Sequence, residues 1–447
     1  MSQRRAILLI VISVLMIVGS YVPNASRTVS SPASSEPSIN IDASSPGFGM
    51  KGTDELIVFW KERFERDPRD FISLTHLAES HIRKGRETGD VSEYQKAEAI
   101  LRNSLKINAS YEPTLAYLSA ALFVQHDFSG ALELANRVYN ADPRALQALA
   151  TIGDAQLELG HYAEAEVAYE KLGEKSPSAP VYTRLARLVW LHGKPTEALN
   201  WMQQAVEDSD EMGLSGENSA WYHFQLGELY FNTGQLEQAD TQYAAALKAF
   251  DNYYLALAGL GKVRAAEGKY DQAIEYYQRA VNIVPQPDFL AALGDLYMMT
   301  GQPGQAEIQY ETVEYIGTLA ALNEQIYNRQ LANFYSDHNM KVEEALELAL
   351  AELESRKDIY GYDAAAWAHY KNENYEEAQA FMEQALALGT RDANLYYHAG
   401  MIALALDDKA QARTYLDEAL AINPHFSILF ADEARETLRT LQNAAVK

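Results

Sequence analysis

An all-α, right-handed solenoid of about ten helical hairpins, with a capping helix at each end, is the fold class the sequence predicts. Three observations predict it. Leu257, Leu260, Gly261 and Arg264 lie three or four apart, as do Ala273, Tyr277, Ala280 and Val281, the spacing of one helical face in each of two successive runs. Gly268 and Lys269 separate the two runs, and Pro285 stops the second. The separator then recurs, with 34 residues from Gly234 to Gly268 and 33 from Gly268 to Gly301. Gly153, Gly227, Gly261, Gly294 and Gly400 share one place in the first helix of their hairpins. A helical Gly costs about 1 kcal/mol relative to Ala, so its return at that place suggests that another backbone passes close by.

The repeat unit resembles that of the tetratricopeptide repeat (TPR) family. Leu260-Gly261, Gly268, Tyr270, Ala273, Tyr277, Ala280 and Pro285 stand where that family has its signature residues. The following unit has Leu293-Gly294, Tyr297, Gly301, Ala306 and Tyr310, and the preceding one Leu226-Gly227, Tyr230, Gly234, Ala239, Tyr243 and Ala246. Several matches in series at one period are the mark of a solenoid. The resemblance implies that the first helix of each hairpin lines a concave wall, the family's usual site for extended peptides or partner helices.

Composition agrees with a protein-binding solenoid and disfavours other classes. The 447 residues could hold two or three globular domains, yet stacked hairpins account for them without a break. Cysteine is absent, so there is no disulfide framework and no thiolate metal site. A formal net charge of -25 argues against a nucleic-acid partner, since phosphate binding rests on Lys and Arg.

Taken in order, residues 1–22 read as a signal peptide or N-terminal membrane anchor. Arg4 and Arg5 precede an apolar run from Ala6 to Val18, shorter than the ~20 residues of a comfortable span. The repeats are therefore expected to be exported, periplasmic or extracellular, or held outside the cytoplasm by that segment. Residues 23–52 form a Ser/Pro/Gly linker, and its G-x-G-x-x-G at Gly47–Gly52 lacks the strand and helix a dinucleotide site needs. Residues 53–68 are expected to be an N-terminal capping helix with Thr53 as its cap, 69–425 the repeats, and 426–447 a C-terminal capping helix and tail. A polar segment from Arg86 to Ser92 lengthens the first turn, and Ile316 to Asn323 adds a spacer. The period rises to 41 residues between Gly193 and Gly234 through a polar loop around Asp208 to Asn218, read as decoration. The eighth turn is one residue too long.

No catalytic or metal pattern stands out: H-E-x-x-H and G-x-S-x-G are absent, and His76 and His81 are five apart, off one helical face. Asn24 and Asn108 begin acceptor sequons. The sequence is thus expected to encode no enzyme and to need no cofactor, metal or small-molecule substrate. The partner is a protein or peptide, with the membrane added if residues 1–22 are retained. In the TPR register the concave wall between the fourth and sixth units includes Arg187, Trp190, Trp221, Phe224, Glu228, Phe231 and Lys262. Large aromatics beside mixed charges suit peptide anchoring, although Trp190 and Phe231 could equally pack between adjacent helices. The Lys, Asn and Arg set that some family members use to clamp an acidic C-terminus is missing. The reading is a non-catalytic scaffold. The alternatives are an accessory subunit recruiting a catalytic partner, or a helical enzyme without a motif; a deep polar pocket with converging titratable groups would favour the enzyme, and a broad open groove the scaffold.

Overall fold

The computed structural model describes residues 52–88, 90–322 and 328–444, and among them there are twenty-two α-helices and no strand. The expected signal or anchor, and all of the expected linker but Gly52, lie outside the described residues. No described helix is long and apolar enough to cross a membrane.

Helix α1 (Thr53–Arg66) precedes ten hairpins. The first five pair α2 (Phe71–Thr88) with α3 (Ser92–Ile107), α4 (Glu112–Val124) with α5 (Phe128–Ala141), α6 (Leu146–Glu158) with α7 (Tyr162–Lys175), α8 (Ala179–Leu191) with α9 (Pro195–Glu211), and α10 (Glu217–Asn232) with α11 (Leu236–Ala249). The second five pair α12 (Tyr254–Ala266) with α13 (Tyr270–Ile283), α14 (Pro287–Met299) with α15 (Pro303–Leu322), α16 (Asn328–Asp337) with α17 (Val342–Ser355), α18 (Ile359–Lys371) with α19 (Tyr375–Ala385), and α20 (Ala393–Ala405) with α21 (Lys409–Ile422). Helix α22 (Ala431–Ala444) follows the tenth. Gly52, not Thr53, holds the extended N-cap of α1, and Thr53 is buried in the first turn. Ser427 starts a turn rather than α22: its hydroxyl accepts from the Leu429 and Phe430 amides, both at 3.2 Å.

Four of the five recurring glycines make room for a tyrosine ring and the fifth for a leucine side chain, not for a passing backbone, which corrects the sequence expectation. A Cβ on Gly227 would lie 2.6 Å from the Tyr243 ring, and one on Gly261 2.7 Å from the Tyr277 ring. Gly153 and Gly294 face Tyr169 and Tyr310 in the same way, and Gly400 faces Leu416. Each partner lies sixteen positions on, in the second helix of the same hairpin. Three of these rings also reach the acid that follows the glycine: the hydroxyls donate from Tyr169 to Asp154 at 2.8 Å, from Tyr243 to Glu228 at 2.5 Å and from Tyr310 to Asp295 at 2.7 Å. Ring burial and a satisfied hydroxyl thus fix the two helices of a hairpin together. Gly261→Ala is expected to destabilise by about 1–3 kcal/mol through overpacking, against a gain of about 1 kcal/mol in helix propensity. A thermal midpoint that rises instead would show that Tyr277 is free to move aside.

The insertions are mostly helical. The extra residues between the fourth and fifth hairpins lengthen α9 to 17 residues and α10 to 16, leaving 212–216 as the link. The first hairpin's polar segment continues α2 to Thr88, and the spacer after the seventh unit continues α15 to Leu322. The eighth turn does carry an additional residue, with Asn339 and Lys341 both in left-handed geometry.

The stack winds until its coils touch, about every six hairpins. The turn of the third hairpin meets the start of the ninth, where the Ile359 amide donates to the Tyr162 hydroxyl at 2.9 Å across 197 residues. The fourth meets the tenth through Thr390 Oγ1, which donates to the Leu191 carbonyl at 2.5 Å. The fifth meets the segment after the tenth through Asn423 Nδ2 and the Phe231 carbonyl at 2.9 Å. Val91 of the first turn packs in one cluster with Leu290 of the seventh hairpin, and the Phe128 ring of the second lies 5.7 Å from the Arg356 guanidinium. The inserted residues join in, since Arg86 faces Glu217 at 3.6 Å.

Candidate functional site

Because the coils touch, the inner wall formed by the first helices of the hairpins is not a broad open groove. It encloses a cavity of about 430 Å3 between the two coils. One side carries Arg187 and Trp190 of α8 with Gln225, Glu228 and Asn232 of α10. The other carries Arg329, Gln330 and Asn333 of α16, Tyr360 and Asp363 of α18, and Asp392 at the start of α20.

A buried ionic clasp holds the two sides together. Glu158, 1% exposed, accepts from Arg187 Nη2 at 2.5 Å on one oxygen and pairs through the other with Arg356 of the opposite coil. Arg329 grips Asp358 with two nitrogens, at 2.5 and 3.2 Å, and Asp358 also accepts from the Gly361 amide at 2.7 Å to cap α18. Glu352 lies 3.5 Å from Arg329. Burial alone would raise the Glu158 carboxyl, but the guanidinium groups of Arg187 and Arg356 outweigh it and hold it at about 2. Within the clasp the converging charges pair with one another, guanidinium to carboxylate. Among the described residues no group of three or more His, Cys, Asp or Glu is placed to hold a metal.

Apart from Arg356 Nε, which lies against Glu158, three donors in this lining are left over: Arg187 Nη1, Gln225 Nε2 and Arg329 Nε are covered by protein yet have no hydrogen-bond partner among the described residues. A buried unmade hydrogen bond costs about 1–3 kcal/mol, so these atoms mark a place where an acceptor is missing. The aromatic part of the wall is fixed by Trp190 Nε1, which donates to the Tyr360 hydroxyl at 3.2 Å.

The seven wall residues expected from the sequence fall in three places. Arg187, Trp190 and Glu228 line the cavity. Phe231 and Lys262 line a second cavity of about 460 Å3 beside residues 425–428, with the Lys262 ammonium 4.9 Å from the Phe231 ring and 2.8 Å from Glu228. Trp221 and Phe224 line neither. Trp221 packs edge-on to Tyr222 at 5.1 Å, and Phe224 is half-buried beside Tyr243 and Tyr253 at 6.0 and 6.2 Å. The far side of the cavity was missed, although a signal for it existed. Carrying the register of Phe224 and Glu228 onto the eighth hairpin selects Arg329 and Asn333, and that of Trp221 and Phe224 onto the ninth selects Tyr360 and Asp363.

Tetratricopeptide repeat family models match residues 122–189, 224–287 and 364–425. The BBSome complex member BBS4 of Bos taurus is 24% identical over 253 residues, 55% of this chain and 46% of that protein. The photosystem I assembly protein Ycf3 of Rippkaea orientalis is 31% identical over 107 residues, 21% of this chain and 60% of that protein. The chain thus spans about half the length of these curated relatives. Of solved structures, yeast Tom70 is 14% identical at a TM-score of 0.35, covering 88% of this chain and 93% of that one. The glycine–tyrosine hairpins of the fold and the family models that fall on them agree: the chain is a tetratricopeptide repeat protein.

Proposed function

We propose that the protein is a non-catalytic scaffold that holds an extended segment of a partner protein in the cavity between its coils, and so helps to assemble a complex. The observation that carries this reading is the set of unsatisfied donors, Arg187 Nη1, Gln225 Nε2 and Arg329 Nε, in a lining that also bears the carboxamides of Asn232, Gln330 and Asn333. An extended backbone offers a donor and an acceptor at nearly every residue, and a carboxamide can answer both. Trp190, Leu229 and Tyr360 give the apolar contact that such a segment needs. At about 430 Å3 the cavity lies toward the small end of the ~300–1,000 Å3 common for ligand sites, which suits a short stretch rather than a whole helix. The relatives described as a complex member and an assembly protein support a role in assembly.

Binding to an array of immobilised extended peptides tests this. Gln225→Leu with Asn333→Leu should weaken capture by about tenfold or more with helicity unchanged. Equal capture by both proteins would move the site elsewhere. The basic start and apolar run of residues 1–22 further support an exported or membrane-tethered scaffold. Fusing residues 1–52 to a reporter enzyme that needs disulfides should give activity only outside the reducing cytoplasm, and an inactive fusion would overturn that assignment.

A further inference from the structure

We infer that the cavity selects a partner segment carrying a cationic side chain, Lys or Arg, seated between Asp363 and Asp392 with its stem against Trp190 and Tyr360. The inference rests on the peptide-binding reading above and adds the class of side chain. The charges in and around the cavity do not balance. Its three guanidinium groups, Arg187, Arg329 and Arg356, are already matched by Glu158, Glu352 and Asp358. Glu228 is answered by Lys262 and by the Tyr243 hydroxyl.

Of the other carboxylates in the lining, Asp288 is engaged elsewhere, and Asp363 and Asp392 remain. Among the described residues Asp363 is met by the ring of His398, at 2.8 Å from Nδ1; burial lowers that imidazole's pKa, but the neighbouring carboxylates, Asp363 first, raise it above its ordinary value. Asp392 caps α20 by accepting from the Asn394 amide at 2.9 Å, and the Tyr360 hydroxyl lies 3.4 Å from its other oxygen. Burial raises the Asp392 carboxyl, and the negative charge of Asp363 raises it further. A cation placed there would relieve both effects. The aromatic pair beside them is suited to the same ligand, since indole and phenol faces attract ammonium and guanidinium groups and cover their aliphatic stems. Arg187 Nη1 and Gln225 Nε2 call for acceptors in the same cavity. One ligand that brings both carbonyl oxygens and a cation is a peptide with a basic side chain. An acidic side chain in that place would meet two like charges.

The test uses calorimetric titration of the full chain with blocked pentapeptides of alanine whose central residue is Lys, Arg, norleucine or Glu, and separately with n-butylammonium. The Lys and Arg peptides should bind at least about tenfold tighter than the norleucine peptide, and the Glu peptide more weakly still. Asp363→Asn with Asp392→Asn should reduce the Lys peptide to the norleucine level. Asn is also a good N-cap, and circular dichroism checks the fold; if the double variant loses helicity, Asp363→Asn alone serves. Equal binding of the Lys and norleucine peptides, or a preference that survives the substitutions, overturns the cation assignment while peptide binding stands. Aspartate-dependent binding of n-butylammonium with no peptide bound keeps the cation site and overturns the peptide reading. No binding of either kind to the folded protein overturns both.

Discussion

Glu158→Gln is expected to destabilise the protein by about 3–5 kcal/mol, because it leaves Arg187 and Arg356 buried around a neutral group. These two cations come from opposite coils, so the loss should also loosen the coil contact. Chemical denaturation reads the first effect, and an increase in radius of gyration by solution scattering reads the second. A variant as compact and as stable as the parent would show that the clasp contributes nothing. The same carboxylate sets a pH window. Its folded value of about 2 lies below the ordinary 4.5, so its contribution is fully present above pH 4.5 and fades as the pH falls through 2. The parent should therefore lose stability more steeply than the variant over that interval. Asp337 acts in the opposite sense. Burial raises its carboxyl to about 6 against His398 and the Trp367 indole, so its contribution is present below pH 3.8 and is lost as the pH rises through 6. Comparing parent with variant cancels that second titration.

Gly193→Ala is expected to cost about 2–4 kcal/mol, and Gly268→Ala only about 1 kcal/mol. Both residues hold the left-handed turn of a hairpin, at φ 69° and 73°, so both substitutions carry the strain of about 1–2 kcal/mol that an L residue meets there. Only at Gly193 does an added Cβ run into the backbone of the next coil, at the Gly389 carbonyl, whereas nothing lies within 4 Å at Gly268. The additional cost is overpacking against a backbone that cannot swing away. The difference between the two variants in denaturation midpoint thus isolates the coil contact. Equal losses would mean that the coils separate in solution.

The hairpins could be read from the sequence because they are made by local rules. Gly227 and Tyr243, or Gly261 and Tyr277, lie sixteen positions apart within one unit, and the turn glycine falls between them. The reason for the helical glycine could not be read, since the same spacing fits a nearby backbone or a nearby ring until coordinates choose. The winding was also hidden. It accumulates from small rotations over six hairpins, and no single unit records their sum. That is why Arg187, Trp190 and Glu228 were found and their counterparts Arg329, Tyr360 and Asp363 were not. The near side follows from the register of neighbouring units, whereas the same register picks out the far side only once it is known which units come to face each other. Trp221 and Phe224 share that register, yet both rest against neighbouring tyrosines.

The bond between Ile359 and Tyr162 spans 197 residues, and it changes the kinetics expected of a repeat array. A string of hairpins that touch only their neighbours can nucleate anywhere and fray from its ends. Here the third unit cannot complete its contacts until the ninth has formed, so distant parts of the chain must find one another late in folding. Such pairings slow the reaction, and they also tie early and late units into one cooperative block that melts together.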